Sequence, residues 1–164
     1  MSYGTLAASK VYHAARGNTA WAAATDPALT IALLRGSEFV DFSFRDAFPG
    51  IKTGLRSQVR EWPREGAYDT DWNAIPADEV PVEVEYASYE AALRELASPG
   101  SLMPDLVLGE QIKSASVEGA VSVEYAGPVG IQGMRPLVLI IGGILAPVLI
   151  AVQASSLSGR AVRV

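Results

Sequence analysis

Few residues in this 164-residue chain are of a kind that does covalent chemistry, since it has no cysteine and a single histidine, His13. That removes thiol nucleophiles, disulfide frameworks and Cys-rich zinc sites, and leaves any Ser-His-Asp triad one base to recruit. No Gly-x-Ser-x-Gly elbow is present. Pro49-Gly50-Ile51-Lys52-Thr53-Gly54 joins a lysine to a threonine as a phosphate loop does. The four residues between a first glycine and Gly-Lys-Ser/Thr are missing, however, so no amide cradle is expected. Asp69-Thr70-Asp71-Trp72-Asn73 puts oxygen ligands at the first three ligand positions of a calcium loop. Ala74 then stands where the loop needs glycine and Val80 where it needs a bidentate glutamate. Side-chain turns at Asp and Asn explain the pattern better, although such carboxylates could still hold an ion weakly. Glu79, Glu83, Glu85 and Glu90 read as a solvated helix face, and His13, between Tyr12 and Ala14, as a structural histidine. The expectation is a protein that is not an enzyme and needs no cofactor and no metal.

Nucleic-acid contact is the other chemistry in view. Arg56, Arg60, Trp62 and Arg64 could set cations beside a stacking ring. Glu61 and Glu65 interleave and Pro63 restrains Trp62, so packing of Trp62 against a bundle is the stronger explanation. With 13 Lys and Arg against 18 Asp and Glu, a formal charge of -5 and a pI near 4.9, the chain lacks the surplus cations that gripping a phosphate backbone requires. The charge is segregated. Residues 45–64 carry a net +3, residues 65–124 a net -11, and after Glu124 only Arg135, Arg160 and Arg163 remain. Such a distribution suits a protein that meets charged neighbours, including its own copies.

The elements that must position these residues are mainly helical. Thr5 is a candidate N-cap and Gly17 a stop for a helix over Thr5 to Arg16, followed by a short polar loop. Asp26-Pro27 signals a second start, and Leu29, Leu33, Phe39, Val40 and Phe44 form a stripe that ends before Pro49-Gly50. Residues 50–76 read as a long loop with one short helix around Leu55 to Arg60; loops of that length usually serve contact or function. A third helix from near Val80-Pro81 to before Pro99-Gly100 carries Val82, Tyr86, Tyr89, Leu93 and Leu96 on one face and acids on the other. Lys113 to Val117 and Val121 to Tyr125 alternate about Glu118-Gly119 as a β-hairpin. Leu137 to Val152 is uncharged and aliphatic, a buried helix bent by Gly142-Gly143 and Pro147.

At 49% apolar the chain is one domain, residues 1–164, with enough apolar surface for a real core. Its parts are a helical bundle over 1–98 with the long loop 50–76, a hairpin region over 99–134, an apolar helix over 135–152 and a tail over 153–164. Leu137 to Val152 spans about 24 Å as a helix, short of a bilayer core, and the mean hydropathy is only +0.21. Membrane insertion is not expected, nor is a cleaved secretory signal, since no basic region and apolar run open the chain.

The order of short motifs is more telling than any one of them. Tyr3-Gly4-Thr5, Tyr12-His13-Ala14-Ala15-Arg16-Gly17-Asn18, Phe48-Pro49-Gly50 and Glu61-Trp62-Pro63-Arg64 come first. Ile75-Pro76-Ala77-Asp78-Glu79-Val80-Pro81 then leads into Tyr89-Glu90-Ala91-Ala92-Leu93, and Lys113-Ser114 into Val121-Ser122-Val123-Glu124-Tyr125-Ala126. Together they resemble the adaptor, or head-completion, proteins of tailed phages, a group that also carries the label of DnaT-like single-stranded-DNA-binding proteins. The Leu-, Ile- and Gly-rich C-terminal helix departs from the more polar helix usual there.

The resemblance implies a helical bundle with a β-hairpin insertion and an extended C-terminal tail. It implies a non-enzymatic subunit of the virion neck, assembled in the host cytoplasm into a dodecameric ring beneath the portal. Such a ring extends the channel for double-stranded DNA, without reading its sequence, and carries the next neck or tail protein. On this view Arg160, Ala161, Val162, Arg163 and Val164 would dock on the portal, the last four alternating as a strand added to a sheet edge does. Lys113, Val117, Val121, Val123 and Tyr125 on the hairpin, with Trp62 and Arg64, would contact neighbouring copies or the next ring. Single-stranded-DNA binding is the alternative.

Overall fold

The computed structural model describes residues 1–103 and 139–150, together with the backbone of two strands, Ser114–Val117 and Val121–Glu124. The chain is mainly helical, as expected. Helix α1 (Leu6–Ala14) starts where Thr5 caps the free Ala8 amide with its hydroxyl, and gives way to Gly17 at a left-handed φ of 68°. A five-residue helix α2 (Thr19–Ala23) occupies the stretch expected to be loop; it buries only Trp21, too little to leave a periodic signal. Helix α3 (Asp26–Phe44) follows. Thr25, not Asp26, is its cap residue; Asp26 sits in the first turn, where its charge opposes the helix dipole and pairs with Lys10.

Helix α4 (Val82–Ala97) lies along α3 in the opposite direction, with Arg35 paired to Glu95 while Phe39 and Val40 share a core with Val84 and Ala87. The two backbones approach closely at Gly36, where a methyl group would lie 2.6 Å from both the Ser88 carbonyl oxygen and the Ala92 nitrogen. The buried face of α4 is therefore Val84, Ala87, Ser88, Ala91 and Ala92 with Tyr89; of the expected stripe Tyr89 is buried and Leu93 and Leu96 pack partly buried on the core, while Val82 and Tyr86 are exposed. Rotating the helix onto its small residues also buries Glu90 and Glu95, so the expected solvated acidic face is only partly one.

Helix α5 (Leu139–Leu145) lays Ile141 and Leu145 on this core, and a 3-10 turn at Ala146–Val148 adds Val148. The helix is shorter than the stretch read for it and stops before Pro147, which cannot donate to a preceding turn. Two backbone bonds, Thr70 to Pro147 (2.8 Å) and Ile150 to Ala47 (2.7 Å), tie this segment to the loop and to the end of α3. No helix among the described residues is long and apolar enough to cross a membrane.

The long loop has more order than its composition suggests. Strand β1 (Ile51–Lys52) pairs antiparallel with β2 (Arg64–Glu65), and a 3-10 turn at Leu55–Ser57 takes the place of the short helix expected there. Gly50 enters the pair at φ 68°, and a side chain on it would meet the Glu65 carbonyl at 2.3 Å. The predicted hairpin is present as β3 (Ser114–Val117) and β4 (Val121–Glu124), in the register Ser114↔Glu124 to Val117↔Val121.

Candidate interaction surface

Cations that composition assigns to a surface patch are spent inside the chain. Arg60 is 7% exposed; its Nε donates to the Met1 carbonyl (2.7 Å) and its guanidinium pairs with Asp41 (3.1 Å). The Tyr3 hydroxyl donates to the other Asp41 oxygen and accepts from the Trp62 amide (3.0 Å), while the Tyr3 amide donates to Ser37 (3.0 Å). Burial raises the Asp41 carboxyl above its ordinary range, against the bonds from Tyr3 and Arg60, and burial followed by the Asp41 charge raises the Tyr3 hydroxyl well above its own. This network pins the N-terminal residues, α3 and the loop to one another.

Arg64 does the same at the β1–β2 crossing. It donates to the carbonyls of Pro49 (2.6 Å), Gly50 (2.7 Å) and Glu61 (3.2 Å), and pairs with the Glu61 carboxylate (3.1 Å). Trp62 is 2% exposed and meets Phe48 edge to face, the ring centroids 5.7 Å apart. Its side chain and that of Arg64, assigned above to contacts with other subunits, thus face their own chain.

What the loop leaves outside is apolar. Its first tip carries Ile51, Leu55 (65% exposed) and Val59 (84% exposed), with Arg56 exposed among them. Its second tip carries Tyr68 and Trp72, the indole 84% exposed. Asp69 builds that second tip: its carboxylate accepts from the Asp71 amide (2.9 Å), the Asn73 amide (2.8 Å) and the Asn73 side chain (2.8 Å). Those bonds, with the Asn73 side chain first, hold the Asp69 carboxyl below its ordinary range. They also spend the oxygens that a calcium ion would need. Among the described residues no group of three His, Cys, Asp or Glu is placed to hold a metal ion.

Among the described residues, Leu55 (φ 49°) and Trp72 (φ 66°) are the non-glycine residues with left-handed backbone. Such a conformation costs on the order of 1 kcal/mol for a bulky residue. Both spend it with the side chain in solvent. Neither is legible as a site residue from residue type, which carries no exposure and no φ; an indole inside an Asx-rich turn is the hint that Trp72 offers.

His13 is fully buried, its Nδ1 bonded by the Asn18 side-chain Nδ2 (2.9 Å) and its ring centroid 4.3 Å from that of Trp21. Burial lowers its pKa, a shift partly offset by Glu90. Glu90, 6% exposed, accepts from Tyr12 (3.1 Å) and pairs with Arg94 (3.0 Å). Val117, Val121 and Val123 lie on the paired strands of the hairpin. Lys113, Tyr125 and the tail residues Arg160 to Val164 lie outside the described residues.

The described residues are mainly helical with a small hairpin and a stapled loop that exposes two apolar tips. Over residues 1–164 the chain matches the family described as "Putative DnaT-like ssDNA binding protein", and it belongs to that family. Comparison with curated proteins and with solved structures found no match.

Proposed function

We propose that this chain is a non-enzymatic building block of a tailed-phage neck. It assembles in the host cytoplasm into a ring beneath the portal, joins the DNA-filled head to the tail and continues the DNA channel. The observation that carries this reading is the sorting of side chains in the loop. The cations and the indole that a nucleic-acid groove would use, Arg60, Arg64 and Trp62, are buried, while Leu55, Val59 and Trp72 are exposed. A surface of exposed apolar tips suits attachment to protein better than to phosphate. An acidic segment facing the channel would keep DNA sliding rather than bound. In this reading Arg160 to Val164 dock on the portal and the hairpin meets a neighbouring copy or the next ring.

The family description favours a second reading, a single-stranded-DNA-binding protein. Titration with a labelled oligonucleotide at about 0.15 M salt separates the two. The neck reading expects no tight binding, because the chain has no cation surplus with which to release counterions. Micromolar affinity with a steep salt slope would transfer the assignment to the second reading.

A further inference from the structure

We propose that the two tips of the long loop are the two halves of one contact between neighbouring copies of this chain. Trp72 of one copy seats on Leu55 and Val59 of the next, with Asp71 facing Arg56. The inference deepens the ring reading above and rests on it.

Three observations carry it. Both tips expose large apolar side chains that the described residues leave uncovered, and each tip holds one of them at a left-handed φ. Backbone strain persists where surrounding structure enforces it, and it clusters at contact sites. Here the enforcing structure is plain: the Asp69 carboxylate ties the Trp72 turn, and the Gln58 side chain ties the other tip by accepting from Thr53 (3.1 Å) and the Gly54 amide (2.8 Å). Two rigid, preorganised knobs lose little entropy on association.

The charges are complementary. From Ile51 to Val59 the charged residues are Lys52 and Arg56; from Tyr68 to Asn73 they are Asp69 and Asp71. Lys52 is partly used by the Gln58 carbonyl (3.1 Å), and Asp69 by its own turn. Arg56 and Asp71 enter no side-chain ion pair among the described residues. A tip that is apolar and positive and a tip that is apolar and negative fit each other and repel their own kind. Two different patches on one chain that complement each other, and not themselves, make a head-to-tail contact, the kind that closes rings.

The absence of cysteine makes the test clean. Full-length Thr70→Cys and Ser57→Cys variants, which place exposed thiols on the two tips and keep Trp72, Leu55 and Val59, are mixed under mild oxidation, and each is also oxidised alone. In parallel, wild type, Trp72→Ala, Arg56→Glu and Arg56→Glu/Asp71→Arg are compared by light scattering over a concentration series, alone and with portal. The mixed pair should cross-link well beyond either variant alone. Trp72→Ala should weaken assembly about tenfold or more, as loss of an aromatic anchor does. Arg56→Glu should weaken it and the double reversal restore it. If wild type assembles but Trp72→Ala assembles equally well, or like tips cross-link in preference, this assignment fails and the ring reading stands. If wild type stays monomeric with and without portal, the ring reading fails and takes this contact with it.

Discussion

Replacing Gly36 by alanine tests the central packing of the fold by sign rather than by size. In an ordinary helix interior the change stabilises by about 1 kcal/mol, through lower backbone entropy in the unfolded chain. At Gly36 the new methyl would stand 2.6 Å from two backbone atoms of α4, roughly 0.8 Å inside the 3.4 Å at which ordinary contact begins. Neither neighbour is a side chain that can swing away, so α3 and α4 must part, at an overpacking cost of about 2–3 kcal/mol. The net expectation is a loss of about 1–2 kcal/mol. With an m-value of about 2 kcal/mol/M, the urea midpoint followed by helical circular dichroism falls by about 0.5–1 M. Gly143→Ala is the control: none of the described residues lies within 4 Å of the Cβ position of this helical glycine, so the midpoint should hold or rise. A Gly36→Ala protein more stable than wild type would refute the close approach of the two helices.

Other predictions follow from the buried polar groups and the tail. Arg60→Ala leaves Asp41 buried with Tyr3 and the Glu61 amide as its remaining donors. It should cost about 3 kcal/mol, the low end for a broken buried pair, seen as a lower thermal midpoint. His13 has a folded pKa below its ordinary 6.5, so its contribution to stability is present above that value and is lost as pH falls toward the folded pKa. Denaturation of wild type and His13→Gln between pH 7.5 and 5.5 should show a decline of at most about 1.4 kcal/mol per pH unit that the variant lacks. Asp41, with its pKa raised, acts in the opposite sense, gaining relative stability as pH falls, and the difference between the two proteins cancels it. Deleting residues 153–164 should leave heads that fill with DNA but fail to retain this protein, measured by its amount in purified particles; normal retention would count against a docking tail.

Much of the fold was legible because its signals are local. Thr5 and Gly17 mark the ends of α1, Pro27 the start of α3, and alternation about Glu118-Gly119 the hairpin. The rotation of α4 was not legible. Its contact with α3 is made by Gly36, Ser88 and Ala92, residues too small to weigh in a hydropathy pattern, so the exposed Val82 and Tyr86 joined the stripe instead. Strands β1 and β2 have two residues each, too few for a period. The loop site was only half visible. Its length signalled contact, but residue type does not say which way a side chain points, and Arg60 and Arg64 turned inward to bond carbonyls that no local pattern reveals. Trp72 was hidden by the acidic pattern around it, which drew attention to ion binding while the indole was the group left in solvent.

Electron microscopy of the purified chain mixed with portal tests the proposed role most directly. The account predicts an added ring of density on the tail-facing side of the portal, coaxial with its channel. Portals that remain bare at saturating concentrations of this chain would contradict it.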